Sequence, residues 1–252
     1  RGDEVGANPT FSAAGLDGSG TFQVQPRVKD SNYAENPLFV STVVSVTIEV
    51  INVPPTISLA GAATVNEGSI YALTLGAVTD PGPDTVTLWI VHWGDGTSDT
   101  YDSGGAKTHE YADDDPSGTA ADPHIITVDL VDEDGTHAAA GSKTITVANV
   151  PPDLIDSLPL QAARKDQPFA LPGVTFTDPG TAAETYTATI DWGDGSPTAA
   201  GTVTEPDGGN PGTVAGTHSY TSDGDFTLTV TLQDDDTGQD SLSFTVRVRS
   251  GE

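Results

Sequence analysis

Apolar and polar residues alternate along most of this 252-residue chain, in short runs that are separated by glycine, proline and aspartate. Apolar side chains occupy every second position in residues 44–50, 86–90, 126–130 and 226–232. A period of two is typical of a strand that buries one face. We find no long stretch with the 3.6-residue period of an amphipathic helix. The pattern therefore predicts an all-β protein built from short strands.

One phrase, Trp-Gly-Asp-Gly, occurs twice, each time directly after an alternating run. Asp-Gly between two alternating runs favours a tight turn, because glycine and aspartate tolerate positive φ. A Thr-Asp-Pro-Gly phrase precedes each copy and a Thr-His-x-Tyr phrase follows it. These phrases are residues 79–82, 93–96 and 108–111 in one copy, and 177–180, 192–195 and 217–220 in the other. A period near 100 residues indicates repeated domains rather than a solenoid.

The phrase Val-Pro-Pro, at residues 53–55 and 150–152, separates the repeats. Two consecutive prolines favour a short, extended and semi-rigid linker. We therefore predict three units, residues 1–53, 54–150 and 151–252. The first unit matches only the last third of the others, with strands predicted at residues 21–28 and 40–53. It is either a partial unit that docks on its neighbour or part of a longer array, and its uncovered strands could pair with another chain.

The charge of the chain is strongly negative. Nine Lys and Arg residues stand against 37 Asp and Glu residues, for a net charge of −28. Such a surface repels nucleic acid and anionic lipid and attracts cations. There is no cysteine, which fits an extracellular bacterial setting, and no run is apolar enough to predict a membrane span.

These motifs together resemble the PKD (polycystic kidney disease) domain family, found as tandem repeats in bacterial extracellular and surface proteins. The resemblance rests on Trp-Gly-Asp-Gly, the later His-x-Tyr, the acidic cluster after a long strand at residues 132–135 and 234–238, and the turn at residues 65–68. The aromatic residue that the family usually has between Trp and Gly-Asp-Gly is missing in both copies. The resemblance implies tandem immunoglobulin-like β-sandwiches joined by short Pro-Pro linkers. Such a fold places Trp93, Trp192, Tyr111 and Tyr220 in the core.

The acidic loops are candidate Ca²⁺ ligands, because Ca²⁺ binds six to eight oxygens from carboxylates, carbonyls and water. In a sandwich the loops collect at two ends. We call the end that receives the linker the leading end, and the end that contains residues 66–68, 94–96 and 113–115 the trailing end. Where one unit follows another, these ends meet. The predicted upstream site uses Asn52, Asp80, Asp132 and Asp134. The predicted second site uses Glu67, Asn149, Asp178, Asp234 and Asp236, with Asp95 as a further candidate. The alternative is that Asp and Gly serve only as turn formers.

The G-x-S-x-G, H-E-x-x-H, Walker and dinucleotide-binding motifs are absent from the sequence. The candidate residues recur once per unit, as scaffold residues do. We therefore predict a non-catalytic structural or adhesive region, an elongated stalk of a large secreted or cell-surface bacterial protein. Its partners would be neighbouring repeats, further copies of itself, or an extracellular polysaccharide or protein. The alternative is an accessory polysaccharide- or protein-binding module of a secreted hydrolase, which would need exposed aromatic side chains. The candidates for that role are Trp89, Tyr101 and Tyr186, although Trp89 shares a strand face with Trp93.

Overall fold

A computed structural model describes residues 10–16, 18–25, 45–155, 158–180, 184–207 and 209–251. These residues form 21 β-strands and no helix, so the all-β prediction is confirmed. No segment of this part of the chain is therefore a helix that could cross a membrane. The interval between the two predicted strands of the first unit, together with residues 26–28 and 40–44 of those strands, lies outside the described residues.

The first two strands form an antiparallel ribbon, β1 (Gly20–Val24) with β2 (Val46–Val50). Phe22 lies opposite Ile48 and Val24 opposite Val46, so one face of the ribbon is apolar. Neither strand contributes to the two hydrophobic cores found among the described residues. The ribbon therefore lies outside both cores.

The first sandwich has a three-stranded sheet, β3–β5–β8, and a five-stranded sheet, β4–β10–β9–β6–β7. Its strands are β3 (Thr56–Gly61), β4 (Thr64–Asn66), β5 (Ile70–Thr79), β6 (Leu88–His92), β7 (Ser98–Tyr101), β8 (Gly105–Glu110), β9 (Ala121–Asp132) and β10 (Gly135–Ala148). The sequence pattern predicts one strand over residues 56–65, but the chain crosses there between the two sheets. Its second half, β4, pairs in parallel with β10.

The second sandwich repeats this arrangement. Its five-stranded sheet is β12–β21–β20–β15–β16, and the facing layer contains the sheets β11–β14–β18–β17 and β13–β19. The strands are β11 (Asp153–Ile155), β12 (Gln161–Arg164), β13 (Pro168–Ala170), β14 (Val174–Thr177), β15 (Thr187–Asp191), β16 (Ala199–Ala200), β17 (Thr202–Thr204), β18 (Gly212–Ala215), β19 (Thr217–Ser219), β20 (Gly224–Gln233) and β21 (Gln239–Arg249). Residues 171–173 separate β13 from β14, where Pro172 has no N–H to donate to a neighbouring strand.

Each sandwich encloses its own hydrophobic core, one within residues 57–147 and the other within residues 154–248. Trp93 and Tyr111 are fully buried in the first core, and Trp192 and Tyr220 are buried in the second. Facing sheets with this strand order form an immunoglobulin-like β-sandwich. The exact domain boundaries at the Val-Pro-Pro phrases stay predictions.

Candidate metal centre

The trailing end of the first sandwich touches the leading end of the second through two glycines. Gly68 has a φ of +61°, and a Cβ atom there would lie 2.6 Å from Cβ of Pro179. A Cβ atom on Gly180 would lie 2.8 Å from Cδ of Glu67. Both distances are too short for a side chain, so glycine allows the two loops to approach this closely.

The linker between the sandwiches is held by acidic residues from both of them. The backbone N–H of Val150 donates a hydrogen bond to Oε1 of Glu67 (2.5 Å). The side-chain amide of Asn149 donates to Oδ2 of Asp234 (3.0 Å). These contacts connect the linker to the turn at residues 66–68 of the first sandwich and to the loop after β20 of the second sandwich.

Seven carboxylates collect at this junction, which we call the junction cluster. Its members are Glu67, Asp113 and Asp114 from the first sandwich and Asp178, Glu184, Asp234 and Asp236 from the second. All of them except Asp113 are at most 6% exposed. Among the described residues, no lysine, arginine or histidine forms an ion pair with any member. The cluster therefore concentrates negative charge without a protein counter-charge.

Several oxygens of this cluster accept no hydrogen bond from an amide or hydroxyl group. Among them are Oε2 of Glu67 and both carboxylate oxygens of Asp114 and of Glu184. In the linker, Oδ1 of Asn149 likewise accepts none. An unsatisfied buried polar atom costs about 1–3 kcal/mol, and a buried charge costs more. A bound cation would supply the missing partner for each of these oxygens.

The proton affinities of the cluster reflect the same crowding. Burial is the largest cause of each shift, and neighbouring carboxylates add to it. Together they raise the pKa of Glu67 to about 7, although the hydrogen bond from Val150 opposes the shift. They raise the pKa of Asp178 to about 6 and that of Glu184 to about 10. Asp114 and Asp236 lie side by side and share a hydrogen bond between their carboxyl groups, and burial together with the charges of neighbouring carboxylates raises the pKa of both.

The structure brings the predicted residues of the second site together at this junction. Glu67 and Asp236 belong to groups of oxygens that all lie within 4.8 Å of one another, one group containing Glu67, Asp113 and Asp114 and the other Asp113, Glu184 and Asp236. Asn149 and Asp234 are joined by their hydrogen bond, and the charge of Asp178 contributes to the raised pKa of Glu67.

Sequence reasoning missed Asp113, Asp114 and Glu184 as ligands, although signals for them exist. Asp113 and Asp114 belong to the acidic run at residues 113–115, which strand direction assigns to the trailing end, where the structure also has it. Glu184 occupies the place of Asp84 in the other copy, since the next residue in each copy donates its N–H to the acidic loop after the long strand. These bonds run from Thr85 to Glu133 (2.9 Å) and from Thr185 to Asp235 (3.0 Å).

Of the predicted upstream site, the structure brings only part together. Asp80 and Asp132 lie in one group with Asp84, with oxygens within 4.8 Å of one another. Asp132 also contacts Nε2 of His137 (2.8 Å) and accepts the N–H of Asp134 (2.9 Å). Asp134 is not a member of that group. Asn52 lies beside Gly18, where a Cβ atom would come 2.5 Å from the backbone nitrogen of Asn52.

Asp95, the further candidate, takes part in a different cluster, formed by the Trp-Gly-Asp-Gly phrase. The His109 ring stacks on Trp93 with centroids 4.5 Å apart, and its Nε2 lies 2.6 Å from Oδ2 of Asp95. The hydroxyl of Tyr111 donates to the carbonyl of Trp93 (2.9 Å). Trp192, His218, Asp194 and Tyr220 repeat these contacts in the second sandwich. We call each set the Trp–His–Asp cluster, and its place in both cores indicates a structural role.

The three aromatic candidates for a binding surface are partly buried. Trp89 packs against the first core and Tyr186 against the second, where it also contacts Phe176. The ammonium group of Lys107 lies over the Tyr101 ring at 4.4 Å. None of the three is among the exposed large apolar side chains of the described residues.

Comparison with known proteins gives matches in structure alone. No family model matches the chain, and no curated protein matches it. The titin domains Z1Z2, solved in complex with telethonin, are 14% identical, with 81% of this chain and 100% of that chain covered and a TM-score of 0.36. The FN1–FN3 domains of chicken CNTN1 are 10% identical, with 78% and 68% covered and a TM-score of 0.32. Drosophila N-cadherin EC1–3 is 16% identical, with 82% and 72% covered and a TM-score of 0.26. These similarities are too weak to support a conclusion about function. The fold of the chain is an all-β, immunoglobulin-like sandwich architecture.

Proposed function

We propose that this chain is a non-catalytic structural or adhesive repeat region of a secreted or cell-surface bacterial protein, of the PKD type, in which Ca²⁺ joins consecutive sandwiches. One observation carries the proposal. The junction cluster buries carboxylates from both sandwiches against one another and leaves several of their oxygens without a hydrogen-bond donor. An ion bound there would contact both sandwiches at once.

The chemistry of the ligands favours Ca²⁺ over other divalent cations. The available atoms are carboxylate oxygens and the amide oxygen of Asn149. Zinc and copper prefer imidazole and thiolate ligands, whereas oxygen ligands suit Ca²⁺ and Mg²⁺. Mg²⁺ keeps several of its waters and demands octahedral geometry, whereas Ca²⁺ accepts irregular sets of six to eight oxygens. A crowded and largely buried set of carboxylates therefore fits Ca²⁺ better.

Calcium at this position would act mechanically. Without it, repulsion among the buried carboxylates opposes close contact of the trailing and leading ends. With it, attraction to the cation replaces that repulsion and holds the sandwiches in one relative orientation. The prolines that follow Val150 limit the other motions of the linker. The expected result is an elongated stalk that calcium stiffens, with neighbouring repeats as the immediate partners.

Calcium titration followed by thermal unfolding tests this proposal. A ligand that binds only the folded state at 100 times its Kd stabilises it by about 2.7 kcal/mol, so the Tm should rise with Ca²⁺ concentration. Mg²⁺ at the same concentration should have a smaller effect, and small-angle scattering should show a stiffer particle with Ca²⁺. The exposed-site variant Glu205→Gln provides the control and should respond like the wild type. A Tm and a scattering profile that do not change with millimolar Ca²⁺ would refute the proposal.

A further inference from the structure

We infer that the junction holds two divalent cations side by side, bridged by the carboxylate of Asp113. This inference rests on the proposed function and adds the number of ions and their distribution between the sandwiches.

The oxygens of the junction cluster form two overlapping groups. One group contains Glu67, Asp113 and Asp114, and the other contains Asp113, Glu184 and Asp236. The oxygens within each group lie within 4.8 Å of one another. Two ligands on one Ca²⁺ at about 2.4 Å each are separated by up to about 4.8 Å, so each group has the size of one ion's ligand shell. Asp113 is the only residue that belongs to both groups.

Each group also contains its own buried oxygens without a donor. In the first group, Glu67 and Asp114 are 0% exposed, and Oε2 of Glu67 and both oxygens of Asp114 accept no hydrogen bond from an amide or hydroxyl. In the second group, Glu184 is 4% exposed and neither of its carboxylate oxygens accepts a hydrogen bond from an amide or hydroxyl, since its polar contact is with another carboxyl group, that of Asp235. An ion in one group alone would leave the oxygens of the other group uncompensated.

Gly180 lies between the two groups. A Cβ atom at this position would be 2.8 Å from Oε2 of Glu67 and 3.1 Å from Oε1 of Glu184. The absence of a side chain therefore lets a carboxylate of each group approach the same stretch of backbone from different sandwiches. This geometry sets the two groups next to each other, as two bridged ions require.

The negative charge of the two groups also favours two ions. The five carboxylates of the two groups carry up to five negative charges, so one divalent cation leaves three and two cations leave one. Asp178 and Asp234 add further negative charge nearby. In the two-metal catalytic sites of enzymes, paired ions lie about 3.5–4 Å apart, so two cations can be neighbours at this spacing.

The two ions would have different tasks. The ligands of the first group all come from the first sandwich, so this ion orders the trailing end and positions Asp113. The second group takes Asp113 from the first sandwich and Glu184 and Asp236 from the second. The second ion therefore connects the sandwiches, and it depends on the first through the shared carboxylate.

Native mass spectrometry of the full chain, stripped of metal and titrated with Ca²⁺, counts the ions. The wild type is compared with Glu67→Gln, Glu184→Gln, Asp113→Asn and the exposed control Glu205→Gln. We expect Asp113→Asn to bind two ions fewer than the wild type, Glu184→Gln one fewer and Glu205→Gln the same number. Because only differences between the variants and the wild type are compared, an ion bound at the separate group of Asp80, Asp84 and Asp132 cancels from the count.

The outcomes separate this inference from the proposed function. If Asp113→Asn and Glu184→Gln each lose the same single ion, the junction holds one cation, and the inference fails while the proposed function stands. If no variant loses an ion, both fail. If Asp113→Asn does not fold, the number of ions bound by the double variant Glu67→Gln with Glu184→Gln is compared with the number bound by Glu184→Gln alone. If the double variant binds one ion fewer, the junction holds two ions. If both variants bind the same number, the inference fails.

Discussion

The backbone N–H of Val150 donates a 2.5 Å hydrogen bond to Oε1 of Glu67, a residue 83 positions earlier in the chain. This bond connects the linker to the turn at residues 66–68, at the trailing end of the first sandwich. The other oxygen of the same carboxylate, Oε2, is buried and accepts no hydrogen bond. Glu67 therefore has one oxygen engaged by the protein and one available to a cation, and a single side chain couples the linker to the candidate metal centre.

Replacing Glu67 with glutamine should separate the two roles of this side chain. The amide oxygen can still accept the hydrogen bond from Val150, but the charge is lost. In a calcium-free solution at pH 7.5 we expect the variant to be more stable than the wild type by about 1–3 kcal/mol, because a buried carboxylate with a raised pKa is removed. Calcium should stabilise the variant less than the wild type.

Thermal unfolding with a chelator and with millimolar Ca²⁺ measures both effects of this substitution. Glu110→Gln, at an exposed position at the end of β8, provides the matched control. An unchanged calcium response in Glu67→Gln would exclude this carboxylate from the site.

Two glycine-to-alanine substitutions test the contact between the sandwiches. Gly68 and Gly96 both have positive φ, +61° and +88°, so alanine is strained at either position. Only at Gly68 would the new Cβ atom meet the neighbouring sandwich, at Pro179, whereas nothing lies within 4 Å at Gly96. We expect Gly68→Ala to cost about 1–3 kcal/mol more than Gly96→Ala, the usual cost of overpacking. Urea unfolding measures the difference, and equal costs would mean that this contact is absent in solution.

The stability of the calcium-free protein should fall as pH rises toward neutrality. The pKa of Glu67 is raised from 4.5 to about 7 and that of Asp178 from 3.8 to about 6. Because these groups bind protons more tightly in the folded state, their protonated forms favour folding. That advantage is lost between about pH 4 and pH 7. We expect a loss of about 2–4 kcal/mol over this interval in a chelator.

Unfolding experiments from pH 4 to pH 8 with a chelator test this dependence. The double variant Glu67→Gln with Asp178→Asn should show a flatter profile, and comparison with it removes the contributions of other titrating groups. Since Ca²⁺ must displace protons from the same carboxylates, its affinity should rise over the same interval. Identical slopes in the wild type and the double variant would contradict the assignment.

The Trp–His–Asp cluster should stabilise the second sandwich with the opposite dependence on pH. Burial alone would raise the pKa of Asp194, but hydrogen bonds from Ser196 and His218 outweigh it and lower the pKa to about 2. The stabilisation by this carboxylate is therefore present above about pH 4 and is lost as pH falls toward 2. We expect Asp194→Asn to cost about 1–2 kcal/mol at pH 7 and little at pH 2. Chemical unfolding at both pH values measures this, with Glu205→Gln as the exposed control, and a pH-independent cost would argue against the hydrogen bonds to this carboxylate.

Much of the fold follows from local patterns that the sequence displays directly. The two-residue alternation at residues 86–90, 126–130 and 226–232 predicts strands close to β6, β9 and β20, because a half-buried strand needs an apolar residue at every second position. The split of residues 56–65 between two sheets was not predicted. That change of sheet depends on pairing of β4 with β10, about 80 residues later in the chain.

The candidate site shows the same division. The sequence by itself determined that Glu67, Asp178 and Asp236 lie in loops at ends that meet, because strand direction sorts the loops. Only the tertiary structure decided that Asp113, Asp114 and Glu184 join them, and that Asp95 turns instead to His109. Ligand shells are set by differences of a few ångströms between oxygens on separate loops. Those distances depend on loop paths and on the glycine contact between the sandwiches, which residue spacing does not encode.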